Sequence, residues 1–226
     1  MTTNSELKLY DHLLQFPLFQ GMSQGELMQL AGNTRLGFLK LPAGRQIIAD
    51  GDSCDHLYLL ISGTITIETQ SDDHTYRMTE WISAPWLVQP EALFGLSTRH
   101  SQDVRTVSDT HFITISKDEV LRLLDDFLIF RLNLLNLLST QSQRRSRHPW
   151  RRSPRSLEER ITRFITDHVV YPAGAKTLHI LMQQLAAEVG DTRLNVSRTL
   201  NAMQQKGLLT LHRGHIVIPM LEHLFV

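Results

Sequence analysis

The apolar positions of this chain change their spacing several times, and each change marks a boundary. Over residues 5–32 they recur at helical intervals, with Leu13, Leu14, Phe16, Leu18 and Phe19 first and Leu27, Leu30 and Ala31 after them. Ser23 stands where the cap of that second helix belongs. From about 34 to 116 the pattern shortens to β runs: Arg35–Leu41, Gln46–Ala49, Leu57–Ser62, Thr64–Thr69, Tyr76–Ile82, Val104–Val107 and Phe112–Ser116. Gly44, Gly51, Gly63 and the cluster Ser71, Asp72, Asp73 separate the early runs as turns. Many short strands at this spacing predict a sandwich or jelly roll.

One long helix is predicted next, starting near Ser116 and Lys117, with Ser116 as its cap and Asp118 and Glu119 at its positive end. Leu121, Leu124, Leu128, Leu135 and Leu138 fall at heptad-like positions, while Phe127, Phe130, Leu134 and Leu137 lie to one side. A helix packed both on its own β domain and on a partner helix has this distribution. It predicts a homodimer paired along residues 118–140; a helix buried wholly inside one subunit is the alternative. Arg144, Arg145, Arg147, Arg151, Arg152 and Arg155 follow, with Pro149 and Pro154 ending any helix. This stretch reads as a hinge, either facing phosphate or simply solvated. Ser156 and Glu159 then form a capping-box pattern that opens another helix.

Residues 180–219 carry the strongest functional signal. They read as two short helices pivoting on Gly190, followed by a glycine-punctuated β-hairpin, the layout of a winged helix-turn-helix. Ala186 lets the helices cross closely, Leu185, Val189 and Val196 supply a buried seam, and Gly190 tolerates the positive φ of a tight turn. Thr192 caps the second helix, whose exposed face then offers Arg193, Asn195, Ser197, Arg198 and Asn201. Arginine and asparagine suit base edges and serine suits phosphates. A generic pair of short helices shares the spacing but not this set of side chains.

Charge supports the same reading. The chain is neutral overall, with 23 Lys+Arg against 23 Asp+Glu, yet the two parts differ. Residues 1–139 hold 10 basic and 17 acidic residues, and residues 140–226 hold 13 basic and 6 acidic. Nucleic acid is therefore expected to contact the second part. The one cysteine, Cys54, excludes a disulfide framework or an all-cysteine metal or iron–sulfur site within one chain. Val120–Leu138, the most apolar stretch, has 13 apolar residues of 19 and is interrupted by charges, so no membrane association is expected. No signal-peptide pattern opens the chain, and a cytoplasmic setting is predicted. Gly-x-Ser-x-Gly, His-Glu-x-x-His and P-loop patterns are missing from the sequence, so no catalytic residue and no enzyme activity are assigned. His212 and His215 have a spacing that metal ligands use, but around Arg213 and Gly214 in a wing they suit solvent or phosphate better, and no metal site is assigned.

Taken together, Leu13, Phe16, Pro17, Leu18 and Phe19, then Pro42, Gly44, Ile47, Ile48, Gly51, Asp52, Leu57, Tyr58, Leu59, Ser62 and Gly63, resemble the β-roll of the cyclic AMP receptor protein/Fnr family of bacterial transcription regulators. The dimerisation helix and winged helix-turn-helix follow in that family's order. The resemblance implies an α+β fold: a cyclic-nucleotide-binding-like β-roll over 1–117, a dimerisation helix over 118–147, a hinge over 148–155 and a DNA-binding domain over 156–226. It also implies a cytoplasmic homodimer reading a palindrome in double-stranded DNA, controlled by an effector in the β-roll, with RNA polymerase as a further partner.

The departures are informative. Cyclic-nucleotide-binding relatives carry Gly-Glu and Arg-Ser pairs, the Glu serving the ribose and the Arg the cyclic phosphate. Here Glu91 and Ser101 match, but Pro90 and His100 replace the glycine and the arginine. Histidine lacks both the permanent charge and the bidentate fork of arginine, which argues against cyclic AMP. Phe94, with Trp81 and Trp86 if they face inward, would make the effector pocket apolar. The family's iron–sulfur chemistry needs several cysteines and is excluded. Haem-based gas or redox sensing stays open on 11 His and 7 Met. In the second helix, Arg193 and Arg198 match arginines that contact base or backbone in relatives, and Ser197 matches a small or hydroxyl residue. Leu194 replaces an acidic residue that reads cytosine, so the half-site differs. A regulatory module acting on a partner protein is the remaining alternative, and it leaves the basic second part unexplained.

Overall fold

The computed structural model describes residues 4–147 and 150–225, with side chains from Leu9 onward. Pro149, predicted above to end a helix, lies outside the described residues. The chain divides into two compact units that interleave in sequence. One holds 1–64, 83–100 and 106–151, and the other holds 65–82, 101–105 and 152–226.

In the first unit, α1 (Asn4–Leu13) and α2 (Gln24–Asn33) flank a 3₁₀ turn at Pro17–Phe19. Ser23 caps α2 as predicted: its hydroxyl accepts from the Glu26 N–H at 3.2 Å, and the Glu26 carboxylate accepts from the Ser23 N–H at 2.7 Å. Four strands pair antiparallel: β1 (Leu36–Leu41), β3 (His56–Ser62), β6 (Trp86–Val88) and β8 (Thr110–Ser116), in the order β1-β8-β3-β6. The short β2 (Gln46–Ile48) precedes β3. Gly63 follows β3 at φ +93°, where a Cβ would lie 2.3 Å from the Asp109 carbonyl oxygen, so only glycine fits there. Leu57, Leu59, Ile113 and Ile115 point into a core with Leu13, Phe16, Leu18 and Phe19.

The single long helix of the sequence reading is two helices, α3 (Lys117–Asp126) and α4 (Leu128–Arg147). Ser116 caps α3 as predicted, accepting from the Glu119 N–H at 3.3 Å. Phe127 interrupts the run with extended φ −123°, ψ 104°. The cause is local: Asp125 and Asp126 place negative charge at the negative end of α3, which favours termination. The Arg131 guanidinium then donates to the freed carbonyls of Leu124 and Asp125. Phe127, Phe130 and Leu134 are buried in the core, with Phe130 set 5.5 Å from Phe19.

The second unit joins β4 (Thr64–Gln70), β5 (Arg77–Ser83) and β7 (Asp103–Thr106) to α5 (Leu157–Asp167), β9 (Lys176–His179), α6 (Met182–Glu188), α7 (Arg193–Gln205), β10 (Thr210–His212) and β11 (His215–Ile218). Their strands form one sheet in the order β10-β11-β9-β5-β4-β7. Backbone pairing joins β5 to this unit: Arg77–Glu80 of β5 run antiparallel to His179–Lys176 of β9. Side chains reinforce it. Met78 is buried among Ile161, Ile165 and Leu178, and the Tyr76 ring lies 5.3 Å from Phe164. Lys176 and Glu80, at 0% and 1% exposure, form an ion pair at 3.1 Å. The capping box expected at Ser156 is half present. Ser156 accepts from the Glu159 N–H, but the Glu159 carboxylate accepts from Arg155 N–H, one residue earlier.

Candidate nucleic-acid interface

α6 and α7 pack through Leu185, Ala186, Val189, Val196, Leu200 and Met203, all buried, the seam read from the sequence together with its helical continuation. Gly190 turns the chain at φ +64°. The Thr192 hydroxyl accepts from the Asn195 N–H at 3.2 Å, so it caps α7 as expected. Asp191, which the sequence reading passed over, organises the turn. Its carboxylate accepts from the Thr192 N–H and the Asn195 amide, both at 2.8 Å, and from the Arg160 guanidinium of α5. Arg160 also donates to the Gly190 carbonyl at 3.2 Å. The Asn195 amide, then the Thr192 N–H, hold the Asp191 carboxyl below the usual carboxylate range.

Arg193, Leu194, Asn195, Arg198 and Asn201 are exposed on α7, Ser197 is half-buried, and Leu194 shows 59% of its surface. The two asparagines are engaged at home: Asn195 with Asp191, and Asn201 donating to the Ser197 carbonyl at 2.7 Å. Each of these bonds fixes the amide and takes up a hydrogen of its NH₂. Arg193 and Arg198 stand exposed beside them. Arg213 is exposed at the β10–β11 turn, beside Gly214 at φ +82°. The wing is tied to α7 by the Leu211 N–H donating to Gln204 Oε1 at 2.7 Å, and α7 to α5 by Lys206 and Glu158 at 2.8 Å.

The β-roll residues lie apart from this surface in the sequence and are occupied otherwise. His100 is buried, and its Nδ1 lies 2.9 Å from Gln89 Oε1. Burial holds the imidazole below its usual range, with Asp52, Glu91 and Asp55 pulling the other way. Glu91 is half-buried and pairs with Arg145 of α4 at 3.7 Å. Phe94 is half-buried under the Lys117 ammonium, 5.3 Å from the ring centre. Ser101 is exposed and falls in the other unit. Of the aromatics expected to make the pocket apolar, Trp81 is 37% exposed. Cys54 is buried, and desolvation pushes its thiol up to about 11, far from a ready metal-binding thiolate.

A β-roll with a helix-turn-helix after it defines a two-domain regulator. The cyclic nucleotide-binding domain family matches residues 38–127, and the Crp-like helix-turn-helix domain family matches 159–225. The chain belongs to the Crp/Fnr family of transcription regulators. Among solved structures, the Thermus thermophilus catabolite activator protein is 20% identical, covers 93% of this chain and 97% of its own, and superposes with a TM-score of 0.51. A putative Crp/Fnr-family regulator from Eubacterium rectale gives 20% identity, the same two coverages and a TM-score of 0.52. The sensor domain of the regulator DNR from Pseudomonas aeruginosa is 21% identical, covers 63% of this chain and 94% of its own, with a TM-score of 0.54. These likenesses establish the shared fold. No curated protein sequence matches this chain. Among the described residues, no helix is long and apolar enough to cross a membrane.

Proposed function

We propose that this chain is a sequence-specific DNA-binding regulator that works as a homodimer on a palindromic operator, in the cytoplasm, with RNA polymerase as its partner. The observation that carries the reading is the exposed pair Arg193 and Arg198 on a capped helix backed by a buried seam. The sequence-remote Asp191–Arg160 bond braces the turn that presents them. Leu194 can contact a thymine methyl but cannot accept from cytosine, so the half-site is its own.

The dimer face proposed for α4 is a stripe of Leu128, Leu132 and Leu135, exposed by 60%, 45% and 54%. Leu132 joins the leucines read from the sequence at helical spacing. Leu124 and Leu138 are partly buried against their own core, and Leu121, 46% exposed, sits on α3 beyond the break at Phe127. The two α7 helices of one such dimer would enter successive major grooves about one turn, roughly 34 Å, apart. Genome-wide mapping of DNA bound by the full chain tests the whole reading. Inverted repeats with half-sites one turn apart are expected, and binding without sequence enrichment would overturn it.

The effector is proposed to be something other than cyclic AMP, because the buried His100, already bonded to Gln89, has neither the permanent charge nor the bidentate fork of the arginine it replaces. Cyclic AMP at millimolar concentration should leave the melting temperature unchanged. A ligand present at about a hundredfold its Kd stabilises a protein by about 2.7 kcal/mol, so a clear upward shift would sink this part of the reading.

A further inference from the structure

Three imidazoles stand in a row across the wing, on a face no role above uses. In the antiparallel register His212 of β10 opposes His215 of β11, His215 opposes His179 of β9, and His179 opposes Arg77 of β5. Directly opposed residues share a face, so the four side chains form one ladder. The His212 and His215 rings stack at 4.7 Å with 12° between their planes, and His215 and His179 lie 5.6 Å apart. Glu68 of β4 closes the far end on Arg77 at 3.4 Å. At the near end, Arg213 lies in the β10–β11 turn, and the adjoining cleft is lined from α6 by Leu181, Met182 and Leu185. The charged groups around the row are therefore Arg213, Arg77 and Glu68, with α6 adding only apolar ones.

We infer that this row is a proton-gated phosphate contact: His212 and His215 take up protons when the wing meets the DNA backbone, so acidification tightens DNA binding. The inference rests on the DNA-binding reading above and adds a regulator to it. Imidazole is the side chain that changes charge between pH 5 and 8. The two rings stack at 4.7 Å beside Arg213, so one phosphate over the turn can meet all three side chains. A phosphate anion over the pair favours the charged rings, so the bound state holds protons more tightly and affinity rises as pH falls. His179 plays a different part. Burial, then Arg77, depresses its proton affinity, with Glu68 working against them. It serves as the neutral spacer between the gated pair and Arg77. Among the described residues, no group of three or more His, Cys, Asp or Glu is placed to hold a metal ion.

The test measures affinity of the full chain for a mixed-sequence duplex against salt, at about pH 7.5 and about pH 5.5. Each imidazole that gains a proton on a phosphate should steepen the slope of log K on log salt by about 0.9. The expected result is a steeper slope and tighter binding at the lower pH, lost in His212→Gln and in His212→Gln/His215→Gln while both variants keep the parent affinity at the higher pH. Slopes that match at the two pH values, or that steepen equally in parent and variants, overturn the gate while leaving DNA binding intact. No binding by the parent at either pH overturns the DNA-binding reading and the gate with it.

Discussion

Arg193→Ala and Arg198→Ala each lose operator binding while the dimer persists. A bidentate arginine–guanine contact is worth about 1–3 kcal/mol of discrimination, or roughly five- to 150-fold in affinity. An arginine that meets phosphate instead lowers affinity for all sequences and reduces the salt slope by about 1. Titration of operator and of scrambled DNA at several salt concentrations therefore assigns each arginine. Both are exposed and outside the buried seam of α6 and α7, so folding is spared. Sedimentation should report the parent mass for both variants. Parent-like operator binding by both would mean that α7 is not the reading helix.

The second large effect concerns stability. Lys176→Met should cost about 3–5 kcal/mol, the usual penalty for leaving one member of a buried ion pair uncompensated. Lys176 is fully buried, its ammonium also donates to the Ala173 carbonyl at 2.8 Å, and it lies 5.6 Å over the Tyr171 ring. Without it the Glu80 carboxylate stays buried, still accepting from the Val170 and Tyr171 N–H groups at 2.7 and 3.1 Å. Glu80→Met/Lys176→Met should recover part of the loss, since apolar pairs replace buried ion pairs well. Recovery stays incomplete because two backbone N–H groups lose their acceptor. Thermal melts followed with hydrogen exchange check both statements. Exchange should accelerate first at residues 76–80 and 176–179. A single variant that melts like the parent would remove the ion pair from any structural role.

Local signals were legible along the chain, and long-range ones were not. The caps at Ser23, Ser116 and Thr192 and the seam of α6 and α7 depend on residues within a few positions, which a period and a cap reveal. The β runs between 34 and 116 were found for the same reason, although β6 was not among them. Strand β9 was missed because a lysine in a strand reads as solvent-facing. Only Glu80, far off in sequence, makes Lys176 acceptable inside. Asp191 was passed over because its task depends on Arg160, on another helix. The break at Phe127 was different. Asp125 and Asp126 announced a helix end, and the leucine heptad outweighed them.

The pairing of β5 with β9 also governs how this chain can be taken apart. A fragment ending near residue 117 would keep β5 with one backbone edge unmatched, and one starting near 156 would present β9 with its edge bare and Lys176 in water. Open edges of this kind recruit other strands, so such fragments should aggregate or pair with one another. Mixed in equal amounts, the two halves would be expected to find each other through that same four-residue register. The chain is therefore better divided by complementation than by truncation.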